Sequence, residues 1–275
     1  MNRTARKRAA AALAGAALLV GGLTACDGGA KAGAGGGAAE EGATAGAARA
    51  PSPVDAVKAS WLKTAAAKFA TAEMSGTDSD GKTTTQAGTK GWYPSAHDLK
   101  IKGPTSESRS VMTDDVIYTE LKNPIDGKPW MKLDLASGGK PGVRMNEDPA
   151  EYLALLLGQP KVALVPATAT DTPGSRHYRA VLTGADLQAA DESTKVMPEK
   201  DRRYLHESVK HLTVLETDVW IGKDGFPARV VTVGKDDKGT SSTTATFDGF
   251  GQVAPVKAPP ADQVADFDAV LKGGS

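Results

Sequence analysis

The sequence predicts an α+β domain in which an antiparallel β-sheet is covered by helices on one face. Short segments of mixed polarity, separated by turn residues, run from residue 84 to residue 135 and are typical of an antiparallel meander. A second group, from 213 to 250, contains Asp224-Gly225, a dipeptide that favours tight hairpins. Parallel sheets need long crossovers and nearly continuous apolar strands, and the first group has neither.

The first 25 residues have the pattern of an export signal that ends at a lipidation site. An uncharged stretch from 9 to 22 is shorter than the roughly 20 residues that a permanent membrane helix needs. Leu23-Thr24-Ala25-Cys26 then forms the lipobox of a bacterial lipoprotein signal, and Cys26 is the only cysteine of the chain. The basic residues that should stay on the cytoplasmic side come first: Arg3, Arg6, Lys7 and Arg8.

Cleavage before Cys26 would leave its thiol free to carry a diacylglyceryl group. We therefore expect a protein anchored through lipidated Cys26 to the outer face of the cell membrane, since two acyl chains on one cysteine give stable attachment. Two alternatives remain at this point. The segment could be an ordinary secretory signal with an incidental cysteine, or a short membrane anchor.

Residues 26–52 are predicted to be the lipidated cysteine and a flexible tether. Of the 24 residues from 27 to 50, 18 are Gly or Ala, and none is aromatic or a large aliphatic residue. Residues 53–271 then form one predicted domain, because no second Pro/Gly-rich break divides them. Four of the 33 basic residues lie in the signal, which leaves 29 against 33 acidic residues, so no nucleic-acid partner is expected.

The domain should begin with an amphipathic helix and continue with a series of strands. Apolar residues from Val54 to Ala72 recur at spacings of three and four and would share one helical face: Val54, Val57, Trp61, Ala65, Phe69 and Ala72. Asp78-Ser79-Asp80-Gly81 predicts a hairpin turn. Strands are expected at 72–76, 84–93, 97–102, 108–113, 116–121 and 130–135.

A second helix is predicted from Asp148 to Gly158. Asp148 can cap its N-terminus, and Pro149 suits its first turn. So many apolar side chains on so short a helix predict a helix enclosed by the rest of the fold. Further strands are expected at 161–166, 176–183, 213–222, 228–234 and 242–250, with helices at 185–190 and 199–211 and a last amphipathic turn formed by Val264, Phe267, Val270 and Leu271.

This order of elements behind a lipobox resembles the mycobacterial LppX and LprG family of lipoproteins, whose fold is similar to the LolA and LolB lipoprotein carriers. The residues that carry the resemblance are Val116-Ile117-Tyr118, Trp130-Met131-Lys132-Leu133-Asp134, Asp148-Pro149, Val219-Trp220-Ile221 and Asp224-Gly225-Phe226-Pro227-Ala228-Arg229. It implies a strongly curved, unclosed antiparallel half-barrel with helices over its concave face. It also implies a cavity for an acyl lipid or a lipidated molecule.

The residues expected to line this cavity follow from the strand and helix pattern alone. They are Ile117, Leu121, Met131, Leu133, Leu153, Leu156 and Leu157. The alternative is that these side chains fill the core completely. In that case the protein would be an envelope sensor or scaffold that uses the same fold to contact another protein.

The sequence carries no constellation that predicts an enzyme, a metal site or a cofactor. His206 and His211 are five residues apart and would point to different faces of a helix, and His97 and His177 fall in predicted strands without a ligand spacing. Asp78 and Asp80 match the start of a calcium loop, but no glutamate closes it. The prediction is therefore a lipid-binding lipoprotein without catalytic residues or cofactors.

Overall fold

The computed structural model describes residues 51–135, 147–168, 171–190 and 194–266. The predictions for the signal, for Cys26, for the tether up to residue 50 and for the tail residues Phe267, Val270 and Leu271 lie outside these ranges. The described helices are Pro53–Ala67 (α1), Pro149–Leu156 (α2), Gly184–Ala189 (α3) and Glu199–Val209 (α4), with a 3-10 turn at Ala261–Gln263.

The described strands form one twelve-stranded sheet. Their bounds are Phe69–Thr77 (β1), Thr83–Gly91 (β2), Ala96–Lys102 (β3), Glu107–Thr113 (β4), Val116–Ile125 (β5), Lys128–Asp134 (β6), Ala163–Val165 (β7), Arg176–Thr183 (β8), Val214–Ile221 (β9), Pro227–Lys235 (β10), Thr240–Asp248 (β11) and Val264–Asp266 (β12).

The sheet consists of two antiparallel meanders joined side by side. Its order is β12-β6-β5-β4-β3-β2-β1-β11-β10-β9-β8-β7, so the two meanders meet where β1 pairs with β11. The sheet does not close, since β12 and β7 are its edges. The predicted α+β class and the unclosed, mainly antiparallel sheet are confirmed, and the topology is that of a curved half-barrel. One pairing differs from the expectation, because β12 lies parallel to β6.

The first helix is shorter than its periodicity predicted. It ends at Ala67, and Lys68 has a positive φ of 67°, which turns the chain into β1. Phe69 and Ala72, which were expected on the helix, therefore lie in a central strand that pairs with both β2 and β11. Residues three apart lie on opposite faces of a strand, so this spacing fits a helix and not β1, and the pairing with β2 and β11 overrides it.

The second helix agrees with its prediction. One carboxylate oxygen of Asp148 accepts hydrogen bonds from the backbone N–H groups of Ala150 and Glu151, both at 2.9 Å. Pro149 occupies the first turn, where a missing N–H costs nothing. Leu153 and Leu156 have no solvent exposure, which confirms the prediction of an enclosed helix.

The apolar core lies between one face of the sheet and the helices. Alternate residues of β1 and β8 to β11 point to this face and pack with side chains from the helices. Few aromatic residues take part, and several gather where α1 meets the sheet: the indole N–H of Trp92 donates to the Thr64 carbonyl at 2.8 Å, and Phe226 stacks on Phe250. We call the face that carries the core the inner face.

Candidate functional site

Strand register extends the inner face from the core to β6 and the edge strand β12. Residues opposite each other in neighbouring strands share a face, so one row can be followed across the sheet. It runs through Lys90, His97, Met112, Ile117 and Leu133. A second row runs through Gly88, Leu99, Ser110, Thr119, Met131 and Ala265.

The two halves of the inner face are covered to different degrees. Ala72 of β1 and Val219 of β9 are fully enclosed beneath the helices. On β5 and β6, Ile117 and Met131 are only half-buried, and Leu133 is 40% exposed. Side chains of this size normally bury most of their apolar surface. We call the group Ile117, Met131 and Leu133 the open strip.

The seven residues predicted to line a cavity fall into two groups. Leu153, Leu156 and Leu157 belong to the packed core, where each is at most 8% exposed. Ile117, Met131 and Leu133 form the open strip. Leu121 follows on the same strand, half-buried, and borders a separate groove of about 380 Å³ with Lys100, Arg109 and Glu120. That these seven residues contact a ligand stays a prediction.

A cluster of charged groups lies under the helices, next to the start of the first row. Lys90 is 3% exposed and lies near Glu151 of α2 and near Asp148, the residue that caps α2. Burial lowers the pKa of Lys90, and the neighbouring carboxylates of Glu147, Asp148 and Glu151 oppose that change. Burial, followed by the charge of Lys90, lowers the pKa of His97 to about 4, so its imidazole is neutral at physiological pH.

Asp148 lies in this cluster as both a helix cap and a buried acid. Burial raises its pKa to about 6, the carboxylate of Asp201 adds to the rise, and the hydrogen bonds from the α2 backbone and the charge of Lys90 oppose it. The sequence indicated the capping role of Asp148 but gave no sign of Lys90. Lys90 lies in a strand of alternating small and polar residues, a pattern typical of solvent-facing positions.

The described part of the inner face also contains one polar cavity. It has a volume of about 230 Å³ and lies between the start of α2, the end of α4 and strands β9 to β11. Its lining includes Glu147, Tyr152, His211, Thr232 and Thr243. A cavity with so many hydrogen-bonding groups suits water better than an acyl chain.

His97 and His177 lie on different faces of the sheet. His97 makes a hydrogen bond with Ser110 at 2.9 Å on the inner face. His177 lies on the opposite face, stacked on Trp220 and 2.6 Å from a carboxylate oxygen of Asp218. Within the described ranges, no three His, Cys, Asp or Glu side chains are placed to hold a metal ion.

The Asp78 side chain accepts hydrogen bonds from the backbone N–H groups of Asp80 and Lys82, which confirms the predicted hairpin turn there.

An unclosed α+β half-barrel with a partly uncovered inner face is the structural class defined by these observations. No protein-family model and no curated protein matches the sequence. Among solved structures, the chain is similar to the lipoprotein LppX of Mycobacterium tuberculosis, with a TM-score of 0.47 and 14% identity over 74% of this chain and 98% of that one.

Two further solved structures show comparable similarity. LprF from Mycobacterium bovis has a TM-score of 0.45 and 12% identity, over 76% of this chain and 97% of that one. An uncharacterized conserved protein from Thermus thermophilus has a TM-score of 0.38 and 12% identity, over 77% and 97%. LppX is a member of the group that the sequence was found to resemble.

Proposed function

We propose that this protein is a lipoprotein, anchored outside the cell membrane through Cys26, that binds an acyl lipid or a lipidated molecule on its inner face. The observation that carries the proposal is the open strip. It places apolar side chains of the adjacent strands β5 and β6 side by side on the inner face of the sheet. Within the described residues no helix is long and apolar enough to cross a membrane, and membrane attachment in the proposal comes from the lipid on Cys26.

The open strip suits an acyl chain because it is apolar, partly exposed and continuous with buried positions. Ile117 lies opposite Leu133, and Met131 lies next to Ala265 of β12. An acyl chain laid across these residues would bury apolar surface that water now contacts, which is favourable by about 25 cal/mol per Å². The mechanism is binding and release, and it needs no catalytic group and no cofactor.

An envelope sensor or scaffold is the second candidate function. The same exposed Leu133 would then contact a protein partner, because exposed apolar patches also mark protein interfaces. The two candidates differ in whether the isolated protein takes up a lipid.

Replacement of Leu133 by lysine is expected to weaken lipid binding about tenfold or more. Burial of the 40% of Leu133 that is exposed contributes about 0.6–1.2 kcal/mol. Bringing a lysine ammonium against an acyl chain adds a desolvation cost, and tenfold in affinity corresponds to about 1.4 kcal/mol. The measurement is titration of a fluorescent fatty acid into the chain that starts at residue 27, together with native mass spectrometry. That chain keeps every described element, since the first begins at Pro53.

Leu164→Lys is the matched control. Leu164 is 55% exposed on β7, at the opposite edge of the sheet from the open strip. Its replacement should leave the affinity for the fatty acid unchanged. Failure of the unmodified protein to bind lipid in both measurements would refute the carrier proposal and favour the sensor or scaffold.

Replacement of Cys26 by alanine is expected to abolish lipid attachment. Cys26 is the only thiol of the chain, so the diacylglyceryl thioether has no alternative site. Metabolic labelling with radioactive palmitate should mark the unmodified protein and leave the variant unlabelled. The variant should also keep its signal peptide, which its larger mass would show. Equal labelling of both proteins would show that residues 1–26 are not a lipoprotein signal.

A further inference from the structure

We propose that the polar cavity between α2, α4 and strands β9 to β11 binds a small neutral polyol, such as a single sugar ring. This site is separate from the open strip, because β1 to β4 lie between the strands that carry the two. The inference goes beyond the lipid binding proposed above and does not depend on it.

The walls of the cavity come from parts of the chain that are distant in the sequence. Strand register places Thr232 opposite Thr243, and Gly234 opposite Ser241, on the inner face of β10 and β11. The start of α2 and the end of α4 lie over these positions. Together they supply six hydrogen-bonding side chains: Glu147, Tyr152, Ser208, Thr232, Ser241 and Thr243.

Gly234 leaves room for a ligand between two of these walls. A Cβ at this position would lie 3.2 Å from a methyl carbon of Leu212 and 3.3 Å from the Oγ of Ser241. Leu212 and Ser241 both line the cavity, so the missing side chain widens it. Gly234 does not have a positive φ, so its backbone conformation does not itself require glycine.

The lining matches the hydroxyl groups of a ligand. A side-chain hydroxyl donates one hydrogen bond and accepts up to two, and a sugar hydroxyl has the same capacity. The Thr243 hydroxyl donates to a carboxylate oxygen of Glu147 at 3.2 Å, which leaves its lone pairs to accept. Several such groups around one space can exchange hydrogen bonds with several hydroxyls of one polyol, whereas an acyl chain would leave them without partners.

The charges around the cavity favour a neutral ligand over an ion. Among the described residues, no lysine or arginine lines the cavity, so a phosphate group would meet the Glu147 carboxylate without a cation. The Glu147 carboxylate already interacts with the Lys90 ammonium, which offsets part of its attraction for a ligand ammonium. A polyol meets neither difficulty.

The size of the cavity and its access to solvent suit a sugar of five or six carbons. Pockets for drug-sized ligands span about 300–1,000 Å³, and this cavity, at about 230 Å³, is smaller. The side chain of His211, which is part of the lining, is 55% exposed. A small ligand can therefore enter from solvent on the side of His211.

An NMR titration of the chain that starts at residue 27 tests the site directly. Glucose, xylose and glycerol are the neutral probes, and ethanolamine and inorganic phosphate are the charged ones. We expect glucose or xylose to shift the amide signals of Thr232, Gly234 and Thr243. Glycerol should act more weakly, because it fills less of the cavity, and the charged probes should leave these signals unchanged.

Thr243→Val and Gly234→Ala should each weaken sugar binding about tenfold. The first change removes a hydroxyl that would hydrogen-bond the ligand, and the second places a methyl group in the space between Leu212 and Ser241. Thr244→Val is the matched control, because Thr244 follows Thr243 on β11 and faces the opposite side of the sheet. Its affinity for the sugar should equal that of the unmodified protein.

Failure of every neutral probe to shift these signals would overturn the proposal and leave the cavity to water. So would a response to ethanolamine or phosphate that equals or exceeds the response to sugars, shifts confined to residues outside the cavity, or equal affinities for Thr243→Val and Thr244→Val. The fatty-acid titration is a separate result. A protein that binds sugar but no fatty acid would refute the lipid binding proposed above and leave the polyol site intact.

Discussion

Replacement of Leu153 by alanine is expected to lower the free energy of unfolding by about 2–5 kcal/mol. Leu153 has no solvent exposure and packs in the core beneath α2. Removing its branched side chain loses both the transfer free energy of the deleted groups and the contacts around the space that remains. Urea unfolding of the chain from residue 27 measures the change. The slope of the free energy of unfolding against urea concentration should equal that of the unmodified protein.

The size of this effect also distinguishes a filled interior from an open one. If Leu153 lined a cavity wide enough for a lipid, few atoms would pack against its end, and its truncation would cost much less than about 2 kcal/mol. Leu62→Ala is the matched control, because Leu62 lies on α1 with 56% exposure. A surface change of this kind should alter stability by at most about 0.5 kcal/mol. Equal effects at the two positions would contradict the packed core under α2.

Much of the fold is determined by local features that the sequence displays openly. The capping by Asp148, the position of Pro149 and the leucines that follow predict α2 and its burial without tertiary information. The Asp224-Gly225 turn likewise predicts the β9–β10 hairpin, where Gly225 has a φ of 80°. Such signals are local, because the residues that cause the structure are the ones that adopt it.

Other features depend on partners that are distant in the sequence. Phe69 and Ala72 fit a helix by spacing, yet they lie in β1, which pairs with β11 about 170 residues later. The parallel pairing of β12 with β6 has no local signal either. Lys90 is buried near Asp148 and Glu151, which are more than 50 residues away in the sequence. Burial of this kind follows from packing, which periodicity does not report.

The candidate site shows the same division between local and distant causes. Strand alternation was sufficient to place Ile117, Met131 and Leu133 on one face. It did not reveal that the helices cover the β1 and β8–β11 half of the inner face and leave β5 and β6 partly open. That asymmetry separates Leu153, which stabilises the fold, from Leu133, which has apolar surface left to bind something else.

Asp148→Asn is expected to stabilise the protein increasingly as the pH rises from about 4 to 7, by up to about 3 kcal/mol relative to the unmodified chain. The Asp148 carboxyl is buried, and its pKa is raised from 3.8 to about 6 in the folded state. The folded protein therefore binds this proton more tightly than the unfolded chain does. The stability gained from protonation is fully present below pH 3.8 and is lost as the pH rises through about 6.

The magnitude follows from the pKa difference, since a change of one in pKa corresponds to about 1.36 kcal/mol. Asparagine keeps a side-chain oxygen for the N–H groups of Ala150 and Glu151 and removes the buried charge. Asp78→Asn is the control, because Asp78 accepts backbone hydrogen bonds in an exposed turn, and its effect should stay within about 0.5 kcal/mol. Urea unfolding at several pH values measures both variants. A pH-independent difference for Asp148→Asn would mean that water reaches this carboxylate, and that the N-terminus of α2 is not enclosed beside Lys90.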